Sequence, residues 1–170
     1  MIEEQALDPL KHDRTGFSCG VAELDDYLHR FAAEQSKKGV TVVRVRLDTA
    51  APQTILGYYT LSAAQVDCTA LSDADRKKDA DRKKLPRDPV PCFRMGRLAS
   101  SAAHRGEGMG KVLIGCAVER CLMAKEQVAA SALVVNAKGE QANRFYQRYG
   151  FTACADSAMT LYLPLGSVAV

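Results

Sequence analysis

The sequence predicts an α/β (α+β) protein built on a mixed central β-sheet with helices on both faces, and three observations carry that prediction. Thr41 to Leu47 alternates, with Val43, Val45 and Leu47 on one side and Arg44 and Arg46 on the other, as a half-buried strand does. Ala132 to Val135 is a short unbroken apolar run, the pattern of a strand covered on both faces. Between them, a glycine-rich turn at Arg105–Lys111 leads straight into an amphipathic segment. The resulting order is a helix, two or three strands, then strand-helix-strand-helix-strand, which suits one sheet with helices on each face. A chain of 170 residues is long enough to bury one sizeable core, and a single domain over 1–170 is expected.

After an extended start, Ser18 is placed to cap a helix from about Gly20 to Lys38, where Val21, Leu24, Leu28 and Phe31 recur at helical spacing. Gly39 ends it. The strand of Thr41 to Leu47 follows, and Ala51-Pro52-Gln53 turns the chain into a second strand, Thr54 to Ala64, rich in β-formers. Pro86, Pro89 and Pro91 force extended backbone before a strand from Cys92 to Ala99. A helix from about Gly108 to Glu126 sets Val112, Leu113, Cys116, Ala117 and Met123 on one apolar stripe. The next helix runs from about Gly139 to Tyr149 with Ala142, Phe145, Tyr146 and Tyr149 on one side, and Gly150 stands ready to stop it in a left-handed conformation. Ser157 to Leu163 is the closing strand.

Composition narrows the class. The apolar and charged fractions, 47% and 25%, are those of an ordinary globular domain and argue against disorder. With no N-terminal apolar h-region and no apolar run of bilayer length, a cytoplasmic protein with no membrane association is expected. Six cysteines without a C-x-x-C pair and three histidines at no metal spacing predict reduced core thiols and no metal. The net charge of +3 is uneven: residues 72–94 hold eight Lys or Arg against five Asp, which accounts for all of it. That stretch contains a tandem hexamer, Asp73–Lys78 repeated as Asp79–Lys84. It reads as a solvated helix or loop, or as a landing strip for a polyanion such as RNA, with Lys77, Lys78, Lys83 and Lys84 as the contacts.

The turn Arg105-Gly106-Glu107-Gly108-Met109-Gly110-Lys111 has the chemistry of a phosphate cradle: glycines let the backbone come close, and helix-start amides point at an anion. Two better-known motifs fail. A P-loop needs glycine where Arg105 stands and Ser or Thr where Val112 stands; a dinucleotide fingerprint needs glycine at Lys111 or Leu113. What remains, Arg-x-x-Gly-x-Gly, resembles the pyrophosphate-binding motif of the GNAT superfamily of N-acetyltransferases. Asn143–Phe151, which reads N-x-F-Y-x-x-x-G-F, is similar to the F-Y-x-x-x-G-F segment near the C-terminus of those enzymes.

The resemblance reaches further into one branch, the acetyltransferase toxins of bacterial toxin–antitoxin pairs. Phe17-Ser18-Cys19-Gly20 with Glu23–Leu28, Leu56–Ser62, and Pro89-Val90-Pro91 leading to Gly96–Ala99 are similar to its signatures. Ser100-Ser101 departs from the Val-Asp that commonly continues there, and the duplicated hexamer looks like an insertion. The resemblance implies a GNAT fold over 1–170 and acetyl-CoA bound by Leu98, Ala99, Arg105, Gly106, Glu107, Gly108, Met109, Gly110, Lys111 and Asn143. It also implies aminoacyl-tRNA as substrate, a homodimer, and a ribbon-helix-helix antitoxin as partner.

Acetyl transfer needs a neutral amine, a stabiliser for the oxyanion, and an acid for the departing thiolate. Tyr146 is the candidate acid: a phenol near pKa 10 is protonated at neutral pH and can donate to a thiolate whose conjugate acid lies near 8.5. The resemblance implies that backbone groups at the end of the central strand, at Leu98 and Ala99, are offered to the thioester, where oxyanion stabilisation requires donors. The strand from Cys92 to Ala99 holds no Asp, Glu or His to act as base, which suits an α-amine near pKa 8 better than a lysine near 10.4. An N-acetyltransferase acting on a small-molecule or protein amine, and a non-catalytic module that binds coenzyme A or RNA, stay open as alternatives.

Overall fold

The computed structural model describes residues 1–66, 89–155 and 157–166. The tandem hexamer with Lys77, Lys78, Lys83 and Lys84, the adjoining Pro86, and Cys68 lie outside them. The chain packs as two compact units, Met1–Ser62 with Met95–Ala117 and Ala63–Arg94 with Val118–Val170.

The first unit holds β1 (Ile2–Ala6), α1 (Ala22–Arg30), α2 (Ala32–Lys37), β2 (Val42–Asp48), most of β3 (Gly57–Val66), the end of β4 (Val90–Ser100), a 3-10 turn at Ala102–His104 and the first half of α3 (Met109–Ala124). β1, β2 and β3 pair antiparallel, with Glu4 opposite Arg46 and Val45 opposite Tyr58. The alternation read in β2 is realised: Val43, Val45 and Leu47 are buried with Leu7, Phe17, Tyr27, Leu28, Tyr58 and Ala99. Arg44 and Arg46 face the other way and are partly buried. Arg44 Nε meets Glu4 at 2.6 Å, Tyr59 donates its hydroxyl to the same carboxylate at 2.7 Å, and Arg46 Nη1 donates to Cys116 Sγ of α3 at 3.2 Å.

The long helix expected over Gly20–Lys38 is two helices, broken at Phe31, whose φ is stretched to −117° while its ψ of −29° stays right-handed helical. The break turns Ala32, rather than Phe31, into the core: Ala32 is fully buried while Phe31 is exposed beneath the Arg30 guanidinium. Ser18 is not the cap either. Val21 occupies that position without a side-chain bond, and the Asp25 carboxylate instead accepts the Cys19 N–H at 2.8 Å.

The second unit holds β5 (Ala132–Asn136), α4 (Glu140–Arg148), β6 (Thr152–Cys154) and β7 (Ser157–Pro164), with the start of β4 and the rest of α3. β7 pairs antiparallel with both β5 and β6. Ala132, Val134 and Tyr162 pack with Cys92 and Cys154, and Ala132–Val135 is buried throughout, as its unbroken apolar run predicts. β6 has only three residues and no sequence pattern of its own to announce it. Gly150 ends α4 at φ +96°, and Phe151 donates its N–H to the Tyr146 carbonyl at 3.1 Å.

Along α3 the apolar stripe is shifted from the expected one. Leu113, Ile114, Ala117 and Cys121 are buried, whereas Val112 and Met123 are exposed; the i, i+4, i+8 row of 113, 117 and 121 sets the phase, and Val112 and Met123 fall on its flanks. Among the described residues the seven strands are bonded in the order β1-β2-β3-β4-β5-β7-β6, a mixed α/β fold. Also among them, Cys19, Cys92, Cys116, Cys121 and Cys154 are free thiols, no cluster of metal-ligating side chains occurs, and no helix is long and apolar enough to cross a membrane.

Candidate active site

Leu98, Ala99 and the whole of Arg105–Lys111 lie on one continuous run, from the end of β4 through the 3-10 turn into α3. Backbone bonds fasten its entry: Ser101 N–H to Leu56 C=O and Ala102 N–H to Ser18 C=O, both 2.8 Å. Ala99 is buried and Leu98 half-buried, so their side chains pack while their peptide groups define the strand end. Beyond it the turn is exposed.

The three glycines of the turn do different work. Gly106 and Gly108 adopt φ of +81° and +75°, and a methyl built on either would touch nothing within 4 Å. They are required by backbone conformation, and the side from which a methyl would project is open. Gly110 is already inside α3. At the helix start, Val112 N–H bonds to Gly108 C=O at 3.2 Å. The amides of Met109, Gly110 and Lys111 precede that first bond, and as the leading donors of a helix they have no intrahelical acceptor. Free amides at the positive end of a helix dipole are a site for an anion.

Glu107 would oppose an anion, but its carboxylate is engaged by His104 Nδ1 at 2.8 Å. Lys111 is exposed within the first turn of the helix. Arg105 reaches back to the N-terminal segment, where Nη2 donates to the Cys19 carbonyl at 3.1 Å. It lies against Gly20, whose φ is +89° and on which a methyl would collide with that same nitrogen. The sequence marked Gly20 only as part of a similar motif; its approach to a residue 85 positions away has no local signal. A second such long-range pair is the Arg97 guanidinium over the Tyr27 ring, 3.6 Å from its centre.

Tyr146 and Asn143 lie in the second unit, one turn apart on α4. Tyr146 is buried, its ring packed edge-on against Phe145 and Phe151 with centres 5.5 and 5.4 Å away. Burial raises its pKa to about 12, because the phenolate would lose its hydration while the phenol loses little. Asn143 is buried as well, and its carboxamide is bonded to Ala158, Met159 and Gln147.

The family model described as "Acetyltransferase (GNAT) domain" matches residues 53–153, a span that includes β4, the glycine turn, α3 and α4. The chain belongs to the GNAT acetyltransferase family. Within it, this GNAT chain is 31% identical over 151 residues to a protein of Mycobacterium tuberculosis (strain ATCC 25618 / H37Rv) named "tRNA-acetylating toxin", covering 89% of this chain and 85% of the relative. Among solved structures it resembles "AtaT complexed with acetyl-methionyl-tRNAfMet" at a TM-score of 0.86 and 25% identity, covering 96% of this chain and 95% of the other. It also resembles "Crystal structure of AtaTR bound with AcCoA" at 0.80 and 26%, covering 96% and 94%. As a GNAT acetyltransferase it is an enzyme of N-acetyl transfer.

Proposed function

We propose that this chain is a toxin that transfers the acetyl group of acetyl-CoA to the α-amino group of aminoacyl-tRNA and so blocks translation, as a single acetyltransferase domain over 1–170. The observation that carries the proposal is the exposed turn of Gly106 and Gly108 followed by the leading amides of α3, which have no intrahelical acceptor, in a chain 31% identical to a tRNA-acetylating toxin.

In this reading the amides of Met109, Gly110 and Lys111 hold the pyrophosphate of acetyl-CoA, with Arg105, Gly106, Glu107 and Gly108 shaping the turn. Peptide groups of Leu98 and Ala99 position the thioester and its developing oxyanion. As the C–N bond forms and the C–S bond breaks, the hydroxyl of Tyr146 donates to the departing sulfur, and the proton released by the amine replaces the one it gives. A pKa near 12 keeps that hydroxyl protonated across the working range. The strand Cys92–Ala99 offers no carboxylate or imidazole, which favours an acceptor already neutral near pH 8.

The basic repeat with Lys77, Lys78, Lys83 and Lys84 is proposed to meet the tRNA phosphates. Binding should then weaken with salt, and neutralising the four lysines should make that dependence shallower, by up to about one unit of slope for each phosphate left unpaired; an unchanged slope in a filter-binding titration overturns this role of the lysines. A homodimer, a ribbon-helix-helix antitoxin and a cytoplasmic location complete the proposal. The deciding experiment is transfer of labelled acetyl from acetyl-CoA to total charged tRNA, with uncharged tRNA and a lysine-rich protein as controls. Label confined to charged tRNA is expected; label on the protein moves the substrate to a protein amine, and none on any acceptor leaves a small-amine enzyme or a binding module.

A further inference from the structure

Every hydrogen of the Asn143 carboxamide is committed. Nδ2 donates to the Ala158 carbonyl at 2.7 Å and to Met159 Sδ at 3.3 Å, while Oδ1 accepts from Gln147 Nε2 at 2.5 Å. Only one oxygen lone pair remains, on a residue 6% exposed, which leaves little for a cofactor to take. The partners are informative in another way. Ala158 and Met159 open β7, and Met159 in turn accepts the Ala137 N–H at 2.7 Å. Asn143 therefore ties the middle of α4 to a strand start that is itself fastened to the end of β5. Tyr146 is three residues further along the same helix, so the two side chains lie on one face.

α4 needs such a tie. It has nine residues, below the length at which a helix in water holds itself, so its position is set by tertiary packing. Its N-cap, Gly139, provides no side-chain bond. The Tyr146 ring itself is held by two aromatic edges, which fix a ring loosely along the helix axis compared with a short hydrogen bond. We infer that Asn143 is a positioning residue for acetyl transfer: its carboxamide, locked to Ala158, Met159 and Gln147, holds the α4 turn that places the Tyr146 hydroxyl. The inference rests on Tyr146 being the acid, and it replaces the cofactor-binding role that the family resemblance implies for Asn143.

The test is a double-mutant cycle on the full chain with Asn143→Ala, Tyr146→Phe and the pair, read by kcat, by KM for acetyl-CoA and by calorimetric binding of coenzyme A. Asn143→Ala should lower kcat about ten- to a hundredfold, the cost of misplacing a reacting group by roughly 1 Å, and leave the coenzyme A dissociation constant within about twofold. Because Asn143 acts through Tyr146, the double variant should be no slower than Tyr146→Phe alone. Full multiplication of the two effects, or a weakened coenzyme A affinity with kcat preserved, overturns the inference. If Tyr146→Phe keeps full kcat, the acid assignment fails instead, a result distinguishable from either. Gln147→Ala, at an exposed residue, covers the case in which Asn143→Ala does not fold. It should cost about threefold in kcat, the scale of one missing hydrogen bond, and that effect should vanish in the Tyr146→Phe background; an effect that persists there is evidence against positioning.

Discussion

Around Arg105–Lys111 the chain is exposed and its chemistry is carried by the backbone, whereas around Tyr146 it is buried and carried by side chains. The turn works by what it lacks: Gly106 and Gly108 have no Cβ, sit at positive φ and leave open space on the side where one would project. The α4 region works by what surrounds it, with Phe145 and Phe151 against the ring and Asn143 holding the helix. An anion that arrives and leaves is suited to fixed dipoles facing water, while a proton donor that must stay neutral is suited to a dry site. The contrast predicts that the turn is damaged by adding atoms and the helix by removing them.

The largest effect should come from Tyr146→Phe, which deletes one oxygen. A drop of about 10²- to 10⁴-fold in kcat is expected of a missing general acid, with coenzyme A binding by calorimetry unchanged. An equal drop in affinity would mean that the ring, not the hydroxyl, matters. Gly108→Val comes next: a β-branched residue at φ +75° costs of order 1–3 kcal/mol. Acetyl-CoA affinity should fall about tenfold, the equivalent of roughly 1.4 kcal/mol, while kcat at saturation falls less. A variant that binds normally would remove the turn from the site.

A smaller effect is expected on alkaline stability, where buried acids of both units contribute. Burial raises Cys19 to about 11, Cys121 to about 12 and Tyr146 to about 12. In each case the folded state holds its proton to higher pH than the unfolded chain, whose thiols titrate near 8.5 and phenols near 10. Their contribution is therefore complete below those values and is lost as pH rises toward 11 and 12. Thermal melts should be level to about pH 8.5 and decline above it, and Cys121→Ala should flatten part of the decline. The rate should show no fall from tyrosine ionisation below about pH 10; a fall centred there would place Tyr146 in a wetter site.

These differences explain what the sequence could reveal. The turn was legible because glycine spacing is local, and alternation in β2 and the apolar run of β5 gave those strands for the same reason. Tyr146 was legible as a candidate, but its raised pKa depends on Phe151 and on packing that no spacing encodes. The break at Phe31 was hidden because Val21, Leu24, Leu28 and Phe31 keep helical period straight through it, and only the tertiary burial of Ala32 decides where the axis turns. On α3, Val112 and Met123 are apolar without being buried, so hydropathy alone set the stripe off phase. For Asn143 the family resemblance offers a role, whereas its partners at Ala158 and Met159 are distant in sequence and leave no local signal.

Arg105 and Gly20 are joined by a space rather than by a bond between their side chains. The guanidinium occupies the volume that the first side-chain carbon of any other residue at position 20 would fill. The two positions are in that sense one inherited character: a mutation at either is judged by selection in the presence of the other. A side chain at 20 would push aside only the end of a flexible arginine, at the cost of its bond to the Cys19 carbonyl, so the firmer bar to variation at 20 is its own φ of +89°.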